Sequence, residues 1–246
     1  MARRIALVTG ALGGLGQEIC RTLARAGCAV IAADLPADDA RRADFAAGNA
    51  GLEIAYAPLD VTDHAQCGAL VNEVQARHGA LDILVNNAGI TRDATLRKME
   101  IAQWDAVLRV HLDGAFNLCR HAIEGMQARG FGRIVNISSI SGQTGNFGQT
   151  NYAAAKAGLH GLTMSLAREV AAKGVTVNSI SPGYVETPMT RAMPAEVRDR
   201  IVATVPAGRI GQPGDIARAV AFLADDAAGY ITGANLPVNG GLLMGF

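Results

Sequence analysis

Residues 4–16 read RIALVTGALGGLG, a short apolar run that passes through Thr9 directly into a turn crowded with glycine. Aliphatic and β-branched residues stopped by glycine have the signature of a buried strand. The segment that follows, LGQEICRTLARAG, spaces its apolar residues three and four apart, as the buried face of a helix does. Strand, glycine turn and helix in this order form the first βα unit of a parallel sheet.

The same alternation continues outward along the chain. Apolar runs recur in CAVIAAD, EIAYAPLDV, LDILVNNAG, GRIVNISS, VTVNSISPG and ITGANLPVNGG. Helical patterns lie between them, among them HAQCGALVNEVQARHG and one long stretch, WDAVLRVHLDGAFNLCRHAIEGMQARG, each closed by a glycine. Strands buried on both faces and separated by helices predict an α/β fold, a Rossmann-type doubly wound parallel sheet with helices on both faces. With 246 residues, half of them apolar, and no linker or repeat, residues 1–246 are expected to form a single domain. The 22 basic and 22 acidic residues balance, so nothing points to a nucleic-acid or membrane-surface partner. Cys20, Cys28, Cys67 and Cys119 lack metal-ligand spacing and read as buried reduced thiols, with no metal expected. No apolar run approaches the ~20 residues that span a bilayer, and the opening run is too short for a signal peptide. A cytoplasmic protein is the expectation.

In a doubly wound sheet, ligands bind beyond the carboxyl ends of the strands. The turn after the first strand holds Gly10, Leu12, Gly13, Gly14, Leu15 and Gly16, where glycines let backbone N–H groups at a helix start approach a pyrophosphate. Asp34 follows Gly16 by eighteen residues, near the spacing of an acid that binds the adenosine ribose of a dinucleotide. A carboxylate there accepts from ribose hydroxyls and repels a 2′-phosphate, which favours NAD(H) and leaves NADP(H) as the alternative. Arg41 and Arg42 either fold over that ribose or form the solvated start of the second helix. Asp60 and Val61 are placed to bracket an adenine ring, with Asp60 or Thr62 also a candidate helix cap.

Tyr152 and Lys156 are four residues apart in TNYAAAKAG, one turn apart on a helix that starts near Asn151, and Ser139 precedes Tyr152 by thirteen. A tyrosine with its ordinary pKa of about 10 needs a nearby cation to act as an acid–base group at neutral pH. Lys156 is expected to lower the Tyr152 pKa and to hold the nicotinamide ribose. Ser139 is placed to hydrogen-bond a substrate carbonyl as its oxygen gains charge.

On these residues the chain resembles the short-chain dehydrogenase/reductase superfamily. The resemblance rests on T-G-x-x-x-G-x-G at Thr9 to Gly16, N-N-A-G at Asn86 to Gly89, Ser139 with Tyr152 and Lys156, and Pro182–Gly183. It implies Tyr152 as proton donor, Ser139 as its polarising partner, and Lys156 as the group that tunes Tyr152. It also implies Asn87, Ala88 and Gly89 along the cofactor cleft, with Pro182, Gly183, Val185 and Thr187 at the nicotinamide end. One departure is His111 in VHLDGAF, where the family usually has asparagine, at a position that supports a water relay to the lysine. Histidine there preserves the relay, adds a titrating group, or only packs.

Within the superfamily the closer resemblance is to 3-oxoacyl thioester reductases, above all those acting on acetoacetyl-CoA in polyhydroxybutyrate synthesis. It is carried by NNAGITRDATLRKM, GRIVNISSISGQTGNFGQTNYAAAKAGLHG, GVTVNSISPGY and the ending VNGGLLMG. The resemblance implies Gln143, Asn146, Phe147, Gln149 and Tyr184 around the acyl group, and Asp93 and Lys98 near the pantetheine entrance. Asp34 departs from the group's NADPH-linked members. Alternative readings are a carrier-protein thioester reductase of fatty-acid synthesis and an NAD-dependent dehydrogenase of a secondary alcohol or 3-hydroxy acid. A non-catalytic dinucleotide-binding scaffold is a fourth, against which the complete Ser139, Tyr152 and Lys156 set counts. The family implies a homotetramer, with which the apolar ending LLMGF agrees.

Overall fold

The computed structural model describes residues 3–186 and 194–244. Seven parallel strands form one sheet in the order β3-β2-β1-β4-β5-β6-β7. These are β1 (Ile5–Thr9), β2 (Ala29–Asp34), β3 (Ile54–Pro58), β4 (Ile83–Asn86), β5 (Gly132–Ile137), β6 (Val175–Pro182) and β7 (Asn235–Val238). All seven coincide with the apolar runs in the sequence. Their helices are α1 (Gly14–Arg25), α2 (Asp39–Gly48), α3 (His64–His78), α4 (Ile101–Leu108), α5 (Gly114–Arg129), the single turn α6 (Ser141–Thr144), α7 (Thr150–Val170), α8 (Ala195–Thr204) and α9 (Pro213–Ala224).

Alternate residues of β1 to β6 feed two cores, and β7 joins one of them through Leu236 and Val238. Ile5 and Leu7 of β1 pack with α3, α5 and α7 through Val71, Leu118 and Ala167, whereas Ala6 and Val8 pack with α1 and α9 through Ile19, Leu23 and Val220. Burial on both faces explains why these strands read as unbroken apolar runs. Glycine ends α3 at Gly79 and α5 at Gly130, both left-handed, as C-terminal caps do.

The long helical pattern expected over 104–130 is not one α-helix. Arg109–Asp113 forms a π-helical turn between α4 and α5, and His111 lies within it. One added residue per turn breaks the hydrogen-bond ladder, a distortion found mostly at functional positions, and periodicity alone does not reveal it.

The strand registers bring the site together. Thr9 pairs with Ala33, Asp34 with Pro58, Asn86 with Asn136, and Ile137 with Ile180, so the strands end along one edge. The order reverses between β1 and β4, which opens the crevice where such sheets bind ligands.

Candidate active site

The glycine turn is built for a close approach. Gly10 has φ +63, and a Cβ on it would lie 2.9 Å from Cα of Ala88; a Cβ on Gly16 would lie 2.2 Å from the Gly10 carbonyl oxygen. Helix α1 begins at an N-cap, Gly13, with no side-chain cap and no acid in its first turn. Its free N–H groups and exposed glycine surface fit a pyrophosphate. Thr9 stitches this turn to the loop after β4, its Oγ1 accepting from the N–H of Asn87 and of Ala88 at 3.0 Å each. Asn87 Nδ2 in turn donates to the Thr9 and Gly10 carbonyls at 2.8 and 3.2 Å.

At the adenosine end, Asp34 accepts from the N–H of Leu12 and of Leu35, both at 2.8 Å. The carboxylate is thereby fixed beside the turn. Arg42 forms an ion pair with Asp39 on its own helix instead of folding over the ribose. Arg41 stays near the site, lining a surface groove with Leu12, Gln17, Asp44 and Phe45. Asp60 does not cap the following helix, and neither does Thr62. Asp60 accepts from Thr62 in a local turn, while Asp63 caps α3 by accepting from Gln66. Val61 is buried and lies against Gly114, so its side chain is turned into the core and Asp60 is the more open of the pair.

At the reacting centre, Ser139 follows β5, and Tyr152 and Lys156 lie in the first two turns of α7. Ser138 anchors that helix to the strand by donating to the Lys156 carbonyl at 2.9 Å. Ser139 hydrogen-bonds with Tyr152, which favours the phenolate, yet burial is the larger effect and pushes the Tyr152 pKa up. The net shift is thus upward, where the expectation was a lowering by Lys156. The Lys156 ammonium donates to the Ile137 carbonyl at 2.6 Å and lies 5.5 Å from the centre of the tyrosine ring. Burial in turn pushes the lysine down to about 7, so the cation is itself disfavoured in this pocket.

His111 is buried, with its ring edge-on to Tyr152 at 5.2 Å and 89°. Burial first, and then the Lys156 charge, push its pKa down to about 3, and the imidazole is neutral. It therefore adds no group that titrates near neutral pH.

Two loops border the mouth. Ala94 N–H donates to the Gly148 carbonyl at 2.9 Å, Gln149 donates to Asp93 at 2.9 Å, and Asn146 donates to Gln149 at 2.8 Å. Asp93, Asn146 and Gln149 thus form one polar chain beside Tyr152. Phe147 is 90% exposed, Gln143 lies on exposed α6, and Tyr184 is partly exposed after β6. Lys98 sits on a short exposed 3-10 turn and does not join the chain. Pro182 ends β6; Gly183 packs on Asn239, where a Cβ would come within 2.9 Å of that side chain. Val185 bridges to Gly211. Thr187 lies outside the described residues.

Sequence reading missed the residues that hold these loops in place. Asn151 is fully buried, donates to the Arg92 carbonyl at 3.0 Å and the Gln103 carbonyl at 3.2 Å, and accepts from the Tyr152 N–H. Asn86 donates to Asn136, which donates to Thr163, beneath the catalytic loop. For Asn86 and Asn136 the available signal was an asparagine inside an apolar strand, where an unpaired amide is costly; Asn151, at the start of α7, carried no such signal. All four cysteines are buried free thiols; burial pushes Cys20, Cys67 and Cys119 up to about 12, which makes them unreactive.

A glycine cradle, an acid at the end of β2 and a serine–tyrosine–lysine cluster at one crevice define a nicotinamide-dependent oxidoreductase. A family model described as Enoyl-(Acyl carrier protein) reductase matches residues 10–243. The chain is 55% identical over 243 residues to an acetoacetyl-CoA reductase of Allochromatium vinosum, covering 98% of this chain and 99% of that protein. It is 48% identical to an acetoacetyl-CoA reductase of Cupriavidus necator across the full length of both, and 47% identical to the 3-oxoacyl-[acyl-carrier-protein] reductase FabG of Escherichia coli over 98% of each. The protein belongs to the short-chain dehydrogenase/reductase family. Among the described residues, no helix is long and apolar enough to cross a membrane.

Proposed function

We propose that the protein reduces a 3-oxoacyl thioester, acetoacetyl-CoA before others, to the 3-hydroxyacyl thioester. The observation that carries this is the meeting of Ser139, Tyr152 and Lys156 at one strand edge, beside the polar chain of Asp93, Gln149 and Asn146. The names and 48–55% identity of the acetoacetyl-CoA reductases support CoA as the carrier. FabG at 47% supports the second reading, in which an acyl-carrier protein presents the substrate.

Reduced nicotinamide, when bound, supplies the hydride that the carbonyl carbon receives. The chain's own residues handle the oxygen. Ser139 Oγ donates to it as it gains charge, and the Tyr152 hydroxyl transfers its proton to it. Lys156 holds the nicotinamide ribose and stabilises the phenolate left behind, whose formation burial otherwise opposes. The uncapped start of α1 takes the pyrophosphate. Asp34 takes the adenosine ribose hydroxyls and makes NADH the preferred donor, because a 2′-phosphate would face a carboxylate already fixed by two N–H groups. Residues 1–246 act as one catalytic domain in the cytoplasm.

The subunits associate as a homotetramer in this reading. Phe116 and Met164 are exposed on α5 and α7, and Phe222 and Tyr230 are exposed on and after α9, beside the edge strand β7. Two such patches, each self-complementary about a two-fold axis, close a tetramer. Leu242 and Leu243 are half-buried and Met244 is exposed in the single chain, which leaves the tail available to the assembly. Light scattering behind a sizing column tests this, and a monomer refutes it.

The enzyme assay follows the loss of reduced-nicotinamide absorbance with acetoacetyl-CoA, using NADH and NADPH in turn. Higher kcat/KM with NADH supports the full reading. A preference for NADPH keeps the reaction and moves cofactor choice to Arg41. Turnover only with the carrier-protein thioester selects the second reading.

A further inference from the structure

Two buried polar atoms near the reacting centre have no hydrogen-bond partner among the described residues: Nδ1 of His111 and Oδ1 of Asn86. Both residues line one small cavity, walled otherwise mainly by apolar groups such as Val61, Val110 and Leu159. Its volume is about 10 Å³, the room that a single water needs. As oriented, the Asn86 Nδ2 donates to Asn136 Oδ1 at 2.8 Å and Asn136 Nδ2 donates to the Thr163 hydroxyl at 2.9 Å, which leaves Asn86 Oδ1 facing the cavity as an acceptor.

The other nitrogen of His111 decides where the ring proton sits. Nε2 lies 3.1 Å from the Ile90 nitrogen, whose N–H points at it, and 2.8 Å from the Ile90 carbonyl oxygen. One nitrogen of a neutral imidazole is either donor or acceptor, never both. A hydrogen on Nε2 would meet the Ile90 hydrogen head on and orphan a backbone donor, the rarer and costlier defect. The Nδ1–H tautomer satisfies the Ile90 N–H and sets the Nε2 lone pair against the carbonyl at 2.8 Å, whereas the Nε2–H tautomer satisfies the carbonyl and orphans the N–H. The first is taken because an orphaned backbone donor is the rarer defect, and it puts the proton inside the cavity. A water there accepts from Nδ1–H and donates to Asn86 Oδ1.

The imidazole also touches the catalytic parts. A Cβ on Gly89 would come within 2.4 Å of the ring, and Tyr152 meets it edge-on. We propose that His111 is a positioning residue, held as its Nδ1–H tautomer by one buried water shared with Asn86, and that this tautomer pins the Gly89–Ile90 turn beside Tyr152. The kinetic part of this inference rests on the reductase reading; the tautomer does not.

The test uses the full-length protein labelled with 15N-histidine and no substrate. His111 signals are assigned by their loss in His111→Asn, and long-range proton–nitrogen correlations report which nitrogen carries the hydrogen. The Nδ1–H pattern is expected in the native protein, and its loss or mixing is expected in Asn86→Leu, which removes the water's acceptor. An Nε2–H pattern, or no change in Asn86→Leu, overturns the proposal. Kinetics with whichever thioester is turned over complete the test, with melting temperatures confirming that each variant is folded. His111→Asn is expected to keep kcat within about threefold, because an amide serves the Ile90 N–H and C=O together. His111→Leu is expected to lose about tenfold in kcat, on the order of one lost hydrogen bond, and equal kcat in the two variants refutes the positioning role. Failure of every thioester to react would sink the reductase reading while leaving the tautomer result intact.

Discussion

The Lys156 ammonium donates to the carbonyl of Ile137 at 2.6 Å, so the cation expected to serve Tyr152 is tied to the end of β5. Burial lowers its pKa from 10.5 to about 7. Between these values the unfolded chain holds a proton that the folded chain has released, so this group's contribution to stability rises with pH. Below about pH 7 the lysine is charged in both states and the burial penalty is fully present. The melting temperature of the ligand-free protein relative to Lys156→Met is expected to climb from about pH 7 to about pH 10. A flat difference would mean that the ammonium is not desolvated.

Removing the Tyr152 hydroxyl tests the proton donor with little change in packing. Tyr152→Phe keeps the ring that meets His111 edge-on. The expected loss in kcat is roughly 10²–10⁴-fold, the usual span for a general acid, with NADH affinity close to native. Stopped-flow reduction and fluorescence titration of NADH check the two halves. An unaltered rate would remove Tyr152 from the chemistry.

Asp34 has two duties that two substitutions separate. Asp34→Asn removes the charge and keeps an acceptor for the Leu12 N–H while giving up the one for Leu35; Asp34→Ala removes the charge and both acceptors. Repulsion between close charges of about 1–4 kcal/mol predicts that either variant shifts the NADPH-to-NADH ratio of kcat/KM upward at least fivefold, on the order of 1 kcal/mol. Asp34→Ala is expected to lower the melting temperature more than Asp34→Asn, because it loses two acceptors instead of one. If neither changes the ratio, the groove that contains Arg41 sets cofactor choice.

Asn151 is a positioning residue with a stability cost. Its side chain joins the Arg92 and Gln103 carbonyls to the start of α7. Asn151→Ala leaves buried backbone groups unpaired, which costs about 1–3 kcal/mol. Denaturant unfolding should show that loss, and kcat should fall more than NADH affinity because the loop displaced carries Asp93 and not the pyrophosphate cradle. A native midpoint would refute the tie.

The strands, their parallel pairing and the catalytic spacing were legible because each is local. A run such as IALVT needs burial on both faces, a glycine such as Gly10 marks a left-handed turn, and Tyr152 and Lys156 share a helix face at four residues' separation. These patterns constrain the chain within a few residues, and sequence carries them directly.

What the tertiary structure alone decided are quantities set by distant neighbours. The Tyr152 pKa is raised chiefly by burial, against the Ser139 hydrogen bond. The π-turn at His111, the helix cap at Asp63 in place of Asp60, and the burial of Val61 depend on packing across elements. So do the ties from Thr9 to Asn87 and from Asn151 to Arg92, which cross 78 and 59 residues of chain. The sequence by itself determined the doubly wound sheet and singled out Ser139, Tyr152 and Lys156 as the candidate reacting set. Their protonation and support were decided only when folding removed water from them, because desolvation and long-range hydrogen bonding depend on three-dimensional surroundings that a linear pattern does not encode.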